Sequence, residues 1–254
     1  MSNMSCETGR PPEEIHDIST LKSRVVERLR TAFQDKALNT FFLAVDGLPG
    51  TGKSTLVQQL VPAFAELDGI GHFPVSVDDF LATSRNSPRW QAIMETEDAK
   101  VFWEIFYVRR ALEHLLSEIA RSNGRAMSIQ FPEEYTTRKS LPKIIEIPEG
   151  RKVVTVEGVN SSGVVRDLRI MVSVDPAIAL LRAVGRDADK GKNAVEAYQH
   201  RLKEYRHMLP QMKRNQALAD FIFVNGHDAR SAVSTVSMAP QSADADTLPF
   251  ISNS

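Results

Sequence analysis

Residues 40–55, TFFLAVDGLPGTGKST, constrain the fold of this chain more than any other stretch. The run from Phe41 to Val45 is apolar without alternation, so both of its faces need cover. That is the pattern of a strand buried in a parallel sheet. Asp46-Gly47 ends the strand. From Gly47 to Ser54, through Leu48, Pro49, Gly50, Thr51, Gly52 and Lys53, the chain fits G-x-x-x-x-G-K-[ST]. Leu56, Val57, Leu60, Val61, Phe64 and Leu67 then mark one face of a helix, which Pro62 should kink or shorten. Strand, glycine turn and helix in this order are the context that the pattern demands. The glycines let successive N–H groups face one point, and a helix starting at Gly52 adds its positive end. Such a loop cradles phosphates. Lys53 would reach the β- and γ-phosphates, the Ser54 hydroxyl would hold Mg²⁺, and Thr55 completes the loop. Asp46 receives no catalytic role.

Composition removes several classes of partner. Thirty-one basic and 32 acidic residues give a net charge of −1 over 254 residues, so no global basic excess points to nucleic acid or an anionic membrane. Cys6 is the single cysteine and can form neither an internal disulfide nor a structural zinc site. The first 14 residues lack a basic segment followed by an apolar run, and runs such as FFLAV are too short to span a bilayer. A soluble, cytoplasmic setting is the expectation. Whether the chain forms a homo-oligomer stays open.

Along the chain, residues 1–14 read as a disordered tail and 15–36 as an amphipathic helix. HFPVSVDDF reads as a second strand, next to the phosphate-loop strand in a doubly wound order. Residues 97–121 read as a long helix, and AMSIQF, KVVTVEG and LRIMVSVD as the third to fifth strands. Asp175-Pro176 starts a helical segment to about Arg214, with an acidic N-cap and proline at the first helical position. ADFIFVNGH is the last strand, and 230–254 a flexible tail. The expected architecture is one α/β domain over 15–229, a P-loop NTPase fold whose parallel sheet carries helices on both faces. A basic helical lid is expected over about 182–214. Ligands would sit at the C-terminal edge of the sheet.

Among nucleotide-binding loops, a guanine-reading N-K-x-D is absent, and the D-x-x-G at Asp68–Gly71 follows a helix rather than a buried strand. Nothing matches a transporter signature. Phosphoryl transfer to a hydroxyl needs an acid to accept the proton, carboxylate support for Mg²⁺, and cations that neutralise the phosphoryl oxygens. Asp78 and Asp79 end one strand and Glu157 another. Arg186, Lys190 and Lys192 crowd one segment after the fifth strand. Asp78 is the candidate base, with Asp79 beside it, and Glu157 a candidate ligand to Mg²⁺ or its waters.

The ordered set VDGLPGTGKST, VSVDDF, VVTVEG, VSVDPAIALLRAVGRDADKGK and ADFIFVNG, over roughly residues 40–226, resembles the phosphoribulokinase/uridine kinase family of P-loop kinases. The resemblance implies ATP and Mg²⁺ as cofactors and a hydroxyl-bearing metabolite as acceptor. It implies Asp78 as general base, Glu157 as support for Mg²⁺, and Arg182, Arg186, Lys190 and Lys192 on a lid that closes over the phosphates. Arg186 would act in catalysis with Lys53. Lys192 would touch phosphate or acceptor. Two lid positions that are often arginine are lysine here, which keeps charge but loses the bidentate fork. The acid is followed by Asp79-Phe80-Leu81 rather than the Ser-Phe-Tyr of uridine kinases. In FPEEYTTRK, Thr136 replaces a histidine while Arg138 is kept. Arg85, Arg89, Trp90, Tyr135 and Arg138 are the further candidates for the acceptor pocket. The expected activity is an ATP-dependent phosphotransferase with an alcohol acceptor, uridine kinase-like, preferring a nucleoside or sugar-like molecule. Alternatives are pantothenate, a phosphosugar or a glycerate-like acid, and, in a different class, an ATPase switch.

Overall fold

The computed structural model describes residues 11–81, 87–95, 109–131, 144–165 and 167–226. Its centre is strand β2 (Thr40–Asp46), whose residues are buried except for Phe42, which is half-buried. β2 pairs in parallel with β6 (Arg151–Glu157) on one side and β7 (Leu168–Ser173) on the other. β8 (Phe221–Val224) and β1 (Glu13–Ile15) extend the sheet beyond β7, and β3 (Ile70–Ser76) closes it beyond β6. The order β1-β8-β7-β2-β6-β3 is parallel throughout.

The unbroken apolar runs are explained by two separate cores. Leu43 and Val45 of β2, Val153 of β6 and Ile170 and Val172 of β7 pack with helices α1 (Ile18–Gln34) and α2 (Lys53–Ala65). The alternate residues, Ala44, Val154, Val156 and Met171, pack on the opposite side. There they meet α4 (Arg109–Ser122), α5 (Pro176–Asp189) and α6 (Ala194–Ala217). A period of two sends neighbours to opposite faces, and helices cover both. Lys152 shares the face of Val154 and Val156. It is 1% exposed, and its Nζ has no hydrogen-bond partner among the described residues. Its register neighbour on β2, Thr40, also buries an unpartnered hydroxyl.

Several expectations need correction. β3 is not beside the phosphate-loop strand, because β6 lies between them. The expected helix from residue 15 begins at Ile18, where Asp17 Oδ2 accepts from the Thr20 N–H at 2.8 Å, and Glu13–Ile15, across the boundary of the expected tail and helix, is a strand paired with β8. The expected third strand, β4 (Met127–Gln130), leaves the main sheet. It pairs antiparallel with β5 (Ile144–Ile147), a strand with no counterpart in the sequence reading. In β4 only Ile129 is buried, a one-sided pattern suited to a ribbon covered on one face. The helical segment after Pro176 divides at Gly191, whose φ of +83° lies in the left-handed region that favours glycine. Its start is as expected: Asp175 Oδ1 accepts from Ala177 and Ile178 N–H at 2.8 and 3.3 Å. α2 carries Pro62 and stops at Ala65. The expected helix over 97–121 is described only from Arg109, and the 230–254 tail lies outside the described residues. No helix of the described residues is long and apolar enough to cross a membrane.

Candidate functional site

Parallel strands point their C-terminal ends to one edge of the sheet, and the chain leaves β2, β6 and β3 there through three different turns. β2 passes into the glycine loop. Gly50 has φ +84°, and a Cβ there would stand 2.1 Å from the Ala179 carbonyl oxygen. The loop therefore presses directly on the backbone of α5. The neighbouring face of α5 is small, with Ala179 and Ala183 buried. One helical step further on, Arg182 and Arg186 reach the mouth of the loop. α2 opens at Gly52 with no side-chain cap, which leaves its first turn to be capped by a ligand.

A cavity of about 440 Å³ opens here. Pro49, Gly50, Gly52, Lys53, Ser54 and Thr55 form one wall, Glu157, Gly158 and Val159 another, Ser76 and Asp78 a third, and Arg182 and Arg186 the last. Lys53 is 9% exposed, and its Nζ donates to the carbonyls of Gly47 and Leu48 at 3.0 and 2.9 Å. Burial pushes its pKa down, while the charges of Asp46, Glu157 and Asp78 push it back up. Ser54 Oγ donates to Glu157 Oε1 at 2.5 Å, so a hydroxyl and a carboxylate converge beside the loop. Asp78 stands exposed on the 3₁₀ turn Val77–Phe80, held by its own N–H bond to Ser76 Oγ at 3.3 Å.

Hard oxygen donors suit Mg²⁺, which takes few protein ligands and keeps water and phosphate oxygens for the rest. Ser54 and Glu157 fit that need. Among the described residues no cluster of three or more His, Cys, Asp or Glu side chains forms a metal cage.

No family model matches the sequence, and no curated protein matches it. Solved structures do match. A protein from Silicibacter sp. TM1040, provisionally named a fructose transport system kinase, superposes with a TM-score of 0.56 at 21% identity, over 82% of this chain and 100% of that one. D-glycerate 3-kinase from Cryptococcus neoformans var. grubii superposes with a TM-score of 0.53 at 12% identity, over 79% of this chain and 87% of that one. The fold is that of a P-loop NTPase. A structure from Bacillus stearothermophilus described as a possible uridine kinase superposes more loosely, with a TM-score of 0.44 at 18% identity over 80% of this chain and 99% of that one.

The P-loop, Asp78, Glu157, Arg182 and Arg186 thus share one cavity although they come from four separate segments. Asp79 is exposed on the same 3₁₀ turn but does not line it. Trp90, expected against the acceptor, is wholly buried in the core, with its ring 6.2 Å from that of His200. Its indole packs inside the protein instead of lining the cleft. Lys190 caps the C-terminus of α5, and Lys192 pairs with Asp187 at 3.4 Å; neither lines the cavity. Arg89 belongs to α3 (Pro88–Glu95), and Arg85, Tyr135 and Arg138 lie outside the described residues.

The segment expected to be a lid through residue 214 is fastened along most of its length. Arg201 is 1% exposed and binds Asp187 Oδ2 through Nη2 at 2.8 Å and Glu204 Oε2 through Nη1 at 2.6 Å. Burial would raise the pKa of Asp187, but the Arg201 charge and hydrogen bond hold it below the usual carboxylate range. Tyr205 donates its hydroxyl to the Pro49 carbonyl, which ties α6 to the P-loop.

Sequence reasoning missed a polar cluster behind the loop. Asp46 is wholly buried. Burial pushes its carboxyl pKa up, and the N–H groups of Ser162, Asn160 and Gly47 draw it down. Asn215, at the end of α6, donates to it at 2.9 Å. An aspartate before a P-loop signals nothing of the kind in sequence, and apart from Gly47 its partners lie more than 100 residues away.

Proposed function

We propose that this chain is an ATP- and Mg²⁺-dependent kinase that phosphorylates a hydroxyl of a small metabolite. One observation carries the reading. A carboxylate with solvent access, Asp78, shares a 440 Å³ cavity with the P-loop lysine, the Ser54–Glu157 pair and two arginines. A phosphate-binding protein that only bound nucleotide would have no use for an acid on the far wall.

In this reading Asp78 accepts the proton of the acceptor hydroxyl as its oxygen attacks the γ-phosphorus and the bond to the β–γ bridging oxygen breaks. Lys53, Arg182 and Arg186 take up the charge on the transferred phosphoryl group and on the departing ADP. Their positions are set before reaction by Gly50 against α5 and by the burial of Lys53. Mg²⁺, held by Ser54 and by Glu157 directly or through water, would neutralise charge on the β- and γ-oxygens. The names of the neighbouring structures, a fructose transport system kinase and a glycerate kinase, support a polyhydroxylated acceptor of sugar-like or glycerate-like type.

The test is ADP release against a panel of sugars, nucleosides, glycerate-like acids and pantothenate. One acceptor class should raise release well above the basal rate. The Asp78→Asn variant should then lose about 10²–10⁴-fold in turnover with nucleotide affinity nearly intact. A variant that keeps most activity would remove Asp78 from the mechanism. Slow hydrolysis unchanged by every acceptor would favour an ATPase switch.

A further inference from the structure

Behind the cavity lies the Asp46 cluster, which no step of the reaction uses. Its carboxylate receives four donors. Oδ1 accepts from the Gly47 N–H at 2.7 Å and the Asn160 N–H at 2.8 Å. Oδ2 accepts from the Ser162 N–H at 3.1 Å and from Asn215 Nδ2 at 2.9 Å. Asn215 Nδ2 also donates to Asn160 Oδ1 at 2.8 Å, and Asn215 Oδ1 accepts from Gln211 at 2.8 Å. Asn160 itself has φ +67°, a strained conformation for a residue other than glycine.

The position of the cluster gives it meaning. Val45 and Glu157 are register partners on adjacent strands, and just past them the two chains part. One becomes the P-loop. The other becomes the turn through Gly158 to Gly163. Asp46 bridges the parting, since it holds the first N–H of the loop and two N–H groups of the turn. A buried carboxylate with this many donors is rigid, because losing any one leaves charge without compensation in a dry site. Asn215 closes the bridge from a third element.

We propose that Asp46 and Asn215 form a positioning pair that fixes Glu157 relative to Ser54 and the P-loop, and so sets how far a divalent cation strengthens nucleotide binding. The proposal rests on the kinase reading for the role of Glu157. It needs no knowledge of the acceptor.

The experiment is fluorescence titration of the full chain with a methylanthraniloyl ATP analogue, with and without Mg²⁺, alongside thermal melting. Asn215→Ala and Asp46→Asn should leave metal-free affinity little changed while the Mg²⁺-dependent gain falls about 10–100-fold, the size of effect that outer-shell partners of metal ligands have. Full retention of the gain in both single variants overturns the proposal. So does a loss of metal-free binding and melting temperature in step with the gain, which marks a scaffold role only. A wild-type chain that binds the analogue with no Mg²⁺ gain overturns it while nucleotide binding stands. One that binds no analogue overturns the kinase reading itself.

Discussion

Replacing Lys152 with methionine should stabilise the fold. The amine is almost wholly buried between β2 and β3 and has no hydrogen-bond partner among the described residues. Methionine has similar length and no group to desolvate. Burying an amine-like polar group without a partner costs about 1–3 kcal/mol in protein substitutions. For a domain of this size each kcal/mol moves the melting temperature by about 2–4 °C, so the expected rise lies between about 2 and 12 °C. Burial also lowers the lysine pKa in the fold below the ordinary lysine value. The unfolded chain then binds more protons, and wild-type stability climbs with pH from the lowered value up to about 10.4. Below that lowered value the penalty is fully present. The advantage of Lys152→Met should therefore shrink as pH rises from 7 to 10. Urea and thermal denaturation at the two pH values, read as a difference between variant and wild type, cancel the other titrating groups. A variant no more stable than wild type, or an advantage equal at both pH values, refutes the reasoning.

Two further outcomes follow from the site. Gly50→Ala must displace either the P-loop or α5, since the new methyl would stand 2.1 Å from the Ala179 carbonyl oxygen at a φ of +84°; nucleotide affinity measured by fluorescence should collapse in a chain that still melts cooperatively. Arg201→Met takes the guanidinium from buried Asp187 and Glu204, leaving them only the longer contacts to Lys192 and His200, and should cost about 3–5 kcal/mol in urea unfolding at neutral pH. That loss should diminish towards acid pH, since Arg201 holds the Asp187 carboxyl below the usual carboxylate range in the wild type and the variant lacks that hold.

Much of the site could be read in the sequence because the P-loop announces itself through contiguous residues. The strand before Gly47, the helix after Gly52 and the Asp175-Pro176 cap all follow from local pattern and are present. The order of strands could not be read this way. HFPVSVDDF carries no mark of whether its neighbour is β2 or β6, since both are apolar and parallel. β1 has three residues, too few to show a period. Arg201, Asp187 and Glu204 look in sequence like a solvated charge run. Their burial depends on the turn at Gly191 bringing α6 back against α5. Asp46 was legible as a residue but not as a hub, because beyond the adjacent Gly47 its donors come from two distant segments.

The place of β3 in the sheet has a consequence for how such a chain could change over time. Everything proposed to handle ATP sits on the inner strands or on the helix packed against the P-loop. The proposed base stands instead on the turn that follows β3, a strand that among the described residues has a neighbour on one side only. Residues there can be exchanged, and the turn after them rebuilt, with little disturbance to the centre. In the proposed kinase, acceptor choice would then be a property of the margin and energy supply a property of the middle. A new substrate could be adopted by altering one border of the molecule and leaving its engine alone.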